Sequence, residues 1–135
     1  MRQGCHLVTH VVTLRCVSSV RGVEVVYRYV GDVARAIAFY EAAFGMSFTR
    51  YGDDWAECTL PDGVRFGLHL AHDDRQPQPP GSTMVNLRVD DLAASHARLA
   101  MLGARPGDPQ DAPTGRFVTF TDPDGYQVQV FEKQR

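Results

Sequence analysis

Val30-Gly31-Asp32-Val33-Ala34 returns later in the chain as Val89-Asp90-Asp91-Leu92-Ala93, and Pro61-Asp62-Gly63 returns as Pro123-Asp124-Gly125. The first pair of motifs is separated by 91 − 32 = 59 positions and the second by 125 − 63 = 62. Two offsets so close, in the same order, mark a tandem duplication of a unit about 60 residues long, with a small insertion in one copy.

Each copy begins with a strand signal, Val23 to Val30 in the first and, more weakly, Thr83 to Val89 in the second, where β-branched and aromatic side chains concentrate. An aspartate then starts a helix in each. Asp32 precedes Val33, Ile37, Tyr40 and Phe44, which recur at helical spacing up to the stop at Gly45. Asp91 precedes Leu92, His96, Leu99 and Leu102, with Gly103 as the stop. Short strands follow in the first copy at Ser47 to Tyr51, Trp55 to Leu60 and Val64 to Ala71, the last two joined by the Pro-Asp-Gly turn. Arg116 to Thr121 and Tyr126 to Glu132 repeat the pattern. The remaining strand of the second copy falls in Arg105 to Gly115, where three prolines weaken it. Each unit therefore reads β-α-β-β-β, about 23–72 and 82–133, with residues 1–22 as an N-terminal extension and the proline-rich Asp73 to Gly81 as the linker.

A chain of 135 residues has room for one domain built from both units. Its net charge of −2 lacks the basic excess that nucleic-acid binding draws on. No stretch approaches the roughly 18 apolar residues of a membrane span. Three cysteines, Cys5, Cys16 and Cys58, have no metal-binding spacing and an odd count, which points to reduced thiols and a cytoplasmic location.

Paired βαβββ units, aspartate-capped helices, Phe39-Tyr40 late in the first helix and the Asp122-Pro-Asp-Gly-Tyr126 turn together resemble the vicinal oxygen chelate superfamily, which includes glyoxalase I, extradiol dioxygenases and bleomycin-resistance proteins. The resemblance spans residues 23 to 133. It implies an α+β fold in which the two tandem units form an open, curved mixed sheet, with a concave ligand face and helices on the convex side. It also implies four metal-ligand positions, which fall on Val25, Gly67, Met84 and Gln129. None is histidine or a carboxylate, so the expectation is a member without the family's metal and without another cofactor.

The strand parity of those four positions selects the face that a ligand would meet. Tyr27, Tyr29, His69, Asn86, Arg88, Gln129 and Phe131 fall on it, and Gly67 is expected to leave space at its floor. Trp55 and Glu57 share one parity on their own strand, but the repeat does not fix which face they take. Inward, they would suit a planar or cationic ligand. Arg28 falls among helix-facing residues and must find the rim or an acid. His69 and His72, three apart on a strand, are expected on opposite sides. Cys58 reads as a small buried hydrophobe.

The function expected is binding of a small organic molecule in the concave cleft, with resistance by sequestration as its use. Two alternatives stand beside it: a metal-independent lyase, isomerase or epimerase working through His69 and Glu57, with no catalytic group assigned by geometry, and a structural or regulatory dimerisation module. A homodimer is expected, because the exposed edges of a curved sheet need cover.

Overall fold

The computed structural model describes residues 23–72 and 84–135; the extension 1–22, with His6, His10, Cys5 and Cys16, and the linker from Asp73 to Gly81 lie outside the described residues. The first unit comprises β1 (Val25–Val30), α1 (Val33–Phe44), β2 (Thr49–Tyr51), β3 (Trp55–Thr59) and β4 (Arg65–Leu70). The second comprises β5 (Asn86–Arg88), α2 (Leu92–Met101), β6 (Gln110–Ala112), β7 (Gly115–Thr121) and β8 (Gln127–Lys133). Each unit folds into a mixed four-stranded sheet, ordered β1-β4-β3-β2 and β5-β8-β7-β6. The first and last strands of each unit run parallel and the other neighbours antiparallel, so the duplication read from the motifs is a duplication of topology. No helix among the described residues is long and apolar enough to cross a membrane.

Both helices start where an aspartate side chain accepts a backbone N–H two residues into the helix: Asp32 from Arg35 and Asp91 from Ala94, each at 3.0 Å. Gly45, at a φ of 67°, ends α1 and donates its N–H to Glu41 O at 2.8 Å. The expected stripe of α2 is one residue too long. Leu102 caps the helix end and is 41% exposed, because its backbone has already left helical geometry. Pro106, Pro109 and Pro113 confine β6 to three residues.

Alternation within the strands divides each sheet into two faces. Ala56, Cys58, Phe66 and Leu68 meet Val33, Ala36 and Tyr40 of α1, and Val118, Phe120, Val128 and Val130 meet Leu92 and Leu99 of α2. Phe39 and Phe44 touch both clusters and join the two cores. The residues left over point to the helix-free face.

A buried polar joint also fastens the units. Asp122, only 5% exposed, accepts the Tyr40 hydroxyl on Oδ2 at 2.8 Å and the N–H groups of Asp124 and Tyr126 on Oδ1 at 3.0 and 2.9 Å. Asp124 Oδ1 accepts Gly31 N–H at 2.8 Å and Arg35 Nη2 at 2.9 Å, and Tyr126 donates its hydroxyl to Tyr29 O at 2.9 Å. Arg28 is buried here, its guanidinium 4.4 Å from the Tyr126 ring centre, so it reaches neither rim nor solvent.

Burial pushes the Asp122 carboxyl above its ordinary value, against the hydrogen bonds from Tyr40, Tyr126 and Asp124. The Tyr40 phenol is pushed up by burial first and then by the charge of Asp122. Asp122→Ala strands three donors, and urea unfolding should record a loss of about 3 kcal/mol; a loss below about 1 kcal/mol contradicts the joint.

The native state holds the Asp122 proton more tightly than the unfolded chain does. Its stability contribution is therefore fully present below the ordinary value of 3.8 and is lost as pH rises through the raised native value. Measured against Asp122→Asn, which does not titrate, wild-type stability should fall across that window. A pH-independent difference contradicts the shift.

Candidate ligand-binding face

Register sets the side chains of the helix-free face in rows. Tyr29, His69, Trp55 and Tyr51 are successive Cα partners across β1, β4, β3 and β2; Tyr27, Gly67, Glu57 and Thr49 form the next row. Trp55 and Glu57 therefore lie on the same face as Tyr27, Tyr29 and His69, which settles the orientation that the repeat left open. The rings form one group: Tyr27 lies edge-on to Trp55 at 5.2 Å and to Tyr29 at 5.7 Å, and His69 is 5.2 Å from Tyr29 and 5.9 Å from Trp55.

Gly67 does not leave the floor open. The Trp55 indole lies across it, so close that a β-carbon at residue 67 would stand 2.6 Å from Trp55 Cζ2 and 3.0 Å from Cζ3. The expectation of space failed because it counted the missing side chain of Gly67 without the cross-strand reach of a tryptophan. Glu57 fixes the ring by accepting Trp55 Nε1–H on Oε1 at 2.9 Å. Arg65 fixes Glu57 in turn, with Nη1 at 3.1 and 2.9 Å from its two oxygens, and reaches Glu24 Oε2 through Nη2 at 2.7 Å. The indole N–H first, and Arg65 after it, hold the Glu57 carboxyl below its usual range. Glu57 is thus an anchored carboxylate that orients Trp55, not an open counter-charge for a cation.

His69 Nδ1 lies 2.8 Å from Leu70 O. A carbonyl can only accept, so Nδ1 carries a proton. His72 lies past the end of β4, beyond the alternation that was expected to separate it from His69. Their ring centres are 6.2 Å apart, and His72 Nε2 pairs with Asp54 Oδ2 at 3.2 Å.

The second unit carries the other expected residues on its own helix-free face. Asn86 pairs across β5 and β8 with Gln129, and Arg88 with Phe131. Gln129 donates to Thr119 Oγ1 at 3.3 Å. Asn86, Arg88 and Phe131 line a cavity of about 360 Å³ together with Thr114 and Lys133. Parity along β8 places Lys133 beside Phe131, a signal present in the sequence and not used; Thr114 lies in a turn that parity does not reach.

A larger groove of about 1110 Å³ runs past Phe44, Met46, Leu60, Leu87 and Arg98, shares Asn86 and Arg88, and includes none of the rings around Trp55. It borders the first unit's own Pro-Asp-Gly turn. There Leu60 and Leu99 stand where the joint has Asp122 and Tyr40, and Asp62 accepts the N–H of Val64 instead of a partner in the other unit.

At the implied metal-ligand positions, Gly67 has Tyr27 as its partner across the parallel pair, and Gln129 has Asn86. No three His, Cys, Asp or Glu side chains come together among the described residues.

The sequence profile of the Glyoxalase/Bleomycin resistance protein/Dioxygenase superfamily matches residues 22–130. No curated protein sequence matches the chain. Among solved structures, TnmS3, an antibiotic binding protein from Streptomyces sp. CB03234, is 26% identical with a TM-score of 0.70, over 87% of this chain and 99% of that one. A glyoxylase/bleomycin resistance protein/dioxygenase domain from Frankia sp. EAN1pec is 24% identical with a TM-score of 0.69, over 86% and 100%. A glyoxalase-related enzyme from Fulvimarina pelagi is 19% identical with a TM-score of 0.71, over 84% and 89%.

Gly67→Ala should drive the indole off its seat, shifting the tryptophan emission to the red and costing about 2 kcal/mol. In the Trp55→Ala background the same substitution should cost under about 0.5 kcal/mol, within the range of an ordinary surface change. Equal costs in both backgrounds contradict the packing.

Proposed function

The chain belongs to the Glyoxalase/Bleomycin resistance protein/Dioxygenase superfamily, and from that premise we propose that it binds a small planar organic molecule on the helix-free face without the superfamily's metal. The ring group of Tyr27, Tyr29, Trp55 and His69 carries this reading: an indole seated over Gly67 and held at its N–H edge by Glu57, itself held by Arg65, is an aromatic surface already in place. A ligand that stacks on it meets little ordering cost. The antibiotic binding described for TnmS3 supports sequestration as the use.

Val25, Gly67, Met84 and Gln129, with Tyr27 and Asn86 as cross-strand partners, do not fit a divalent transition ion. Such ions need three or more imidazole, thiolate or carboxylate donors, whereas this set offers a thioether, neutral amides and a phenol. The Glu57 oxygens are engaged by Trp55 and Arg65 rather than by His69. The protein is proposed to work in the cytoplasm as a homodimer, since β1 and β5 are both edge strands and Tyr27, Tyr51 and Met84 are exposed.

A second reading rests on the same indole. With Trp55 filling the space over Gly67, the face is also shaped as a packing surface for a second copy.

Calorimetric titration with naphthol, quinoline and acridine separates the two. The binding reading expects saturable uptake that Trp55→Ala weakens about tenfold. Failure of all three planar compounds to bind contradicts it and leaves the packing reading. Titration with Ni²⁺, Zn²⁺, Mn²⁺ and Fe²⁺ should give no stoichiometric uptake; uptake that switches on lyase or dioxygenase turnover contradicts the metal-free assignment. Light scattering should return twice the 15.0 kDa of one chain, and a monomer at micromolar concentration contradicts the dimer.

A further inference from the structure

We infer that the cavity formed by Asn86, Arg88, Thr114, Phe131 and Lys133 is an oxyanion subsite that takes the acidic group of a one- or two-ring aromatic ligand. The inference deepens the ligand-binding reading and rests on it. Two cations line this cavity of about 360 Å³ and no carboxylate does. Among the described residues neither Arg88 nor Lys133 has an ion pair, whereas Arg35, Arg65 and Arg116 are each matched to an acid.

Of the nearby acids, Asp62 and Asp90 line the larger groove that Arg88 also borders, and the others are turned away or engaged. Glu132, between Phe131 and Lys133 in sequence, points to the opposite side of β8 and accepts the Leu92 N–H at 2.7 Å. Asp91 caps α2, and Asp111 pairs with Arg116 at 3.1 Å. Two like charges lining one hollow, with no counter-ion among the described residues, favour an anion there. Asn86 and Thr114 add neutral donors for its remaining lone pairs.

The wall beside the cations is aromatic. A β-carbon at residue 115 would meet the Glu132 backbone carbonyl first and then stand 2.8 Å from Phe131 Cζ, so Gly115 is kept small by the neighbouring backbone and lies against that ring. An apolar wall, two cations and two neutral donors in a volume near the lower end of small-molecule sites match an aromatic acid. The register adds a second argument. Arg88 occupies the place in its unit that Tyr29 occupies in the first, and Phe131 that of His69. The duplicated faces have diverged, one toward rings and one toward positive charge.

The test compares 2-naphthoate, 2-naphthyl phosphate and neutral 2-naphthamide by calorimetry at low salt, on the wild type and on Arg88→Gln/Lys133→Gln. Both side chains are exposed, so the double variant keeps its core. At least one anion should bind about tenfold more tightly than the amide, with the margin shrinking as salt rises. That margin should fall to about twofold or less in the double variant. The tighter of the two anions identifies the acid as carboxylate or phosphate. Equal affinity for anions and amide, a preference that survives in the double variant, or no binding of either anion overturns the subsite. Trp55→Ala measured with the amide alone reads the aromatic face separately, so the failure of one assignment is not mistaken for failure of the other.

Discussion

The volume above residue 67 holds either a side chain on β4 or the indole of Trp55, and not both, because a β-carbon there would fall inside the ring's contact distance. The rest of the first unit's face follows from the indole's having it. Trp55 lies flat across the strand, Glu57 must accept its N–H, Arg65 must neutralise Glu57, and Tyr27 and His69 close around the ring. Residue 67, to which the resemblance assigns a metal-binding carboxylate, is here a glycine under the Trp55 indole.

The two units are copies in topology but not in chemistry. At one junction a turn docks through Asp122 and Asp124 onto Tyr40, Gly31 and Arg35. At the equivalent junction leucines replace the polar pair and a groove of about 1110 Å³ stands instead. The helix-free faces diverged in the same way. Rings gather around Trp55 in the first unit, and amides and cations around Arg88 in the second. Duplication supplied two equivalent frames, and substitution within fixed strand parity gave them different surfaces.

Strand parity, aspartate caps and the repeated turn made the fold legible in the sequence, because each is a local rule that the chain obeys twice. They also placed Tyr27, Tyr29 and His69 on one face correctly. What the sequence did not reveal depends on contacts across strands or across units. Parity tied Trp55 to Glu57 without choosing a face, and only the register with His69 and Gly67 chooses it. The Tyr40–Asp122 bond links residues 82 positions apart. Arg28, awkward as a cation among helix-facing residues, makes sense once Tyr126 arrives from the other unit. Leu102 left its stripe because helix ends turn on backbone geometry that periodicity does not report.

The central claim is that a stacking surface stands where relatives are expected to hold an ion. A crystal structure grown with excess Ni²⁺ and a bound planar arene tests it most directly. The account predicts the arene ring in face contact with Trp55 and no ion held by side chains on the helix-free face of either unit. An ion coordinated there by three or more side chains, or a Trp55 ring swung clear of Gly67 with the arene bound elsewhere, would contradict it.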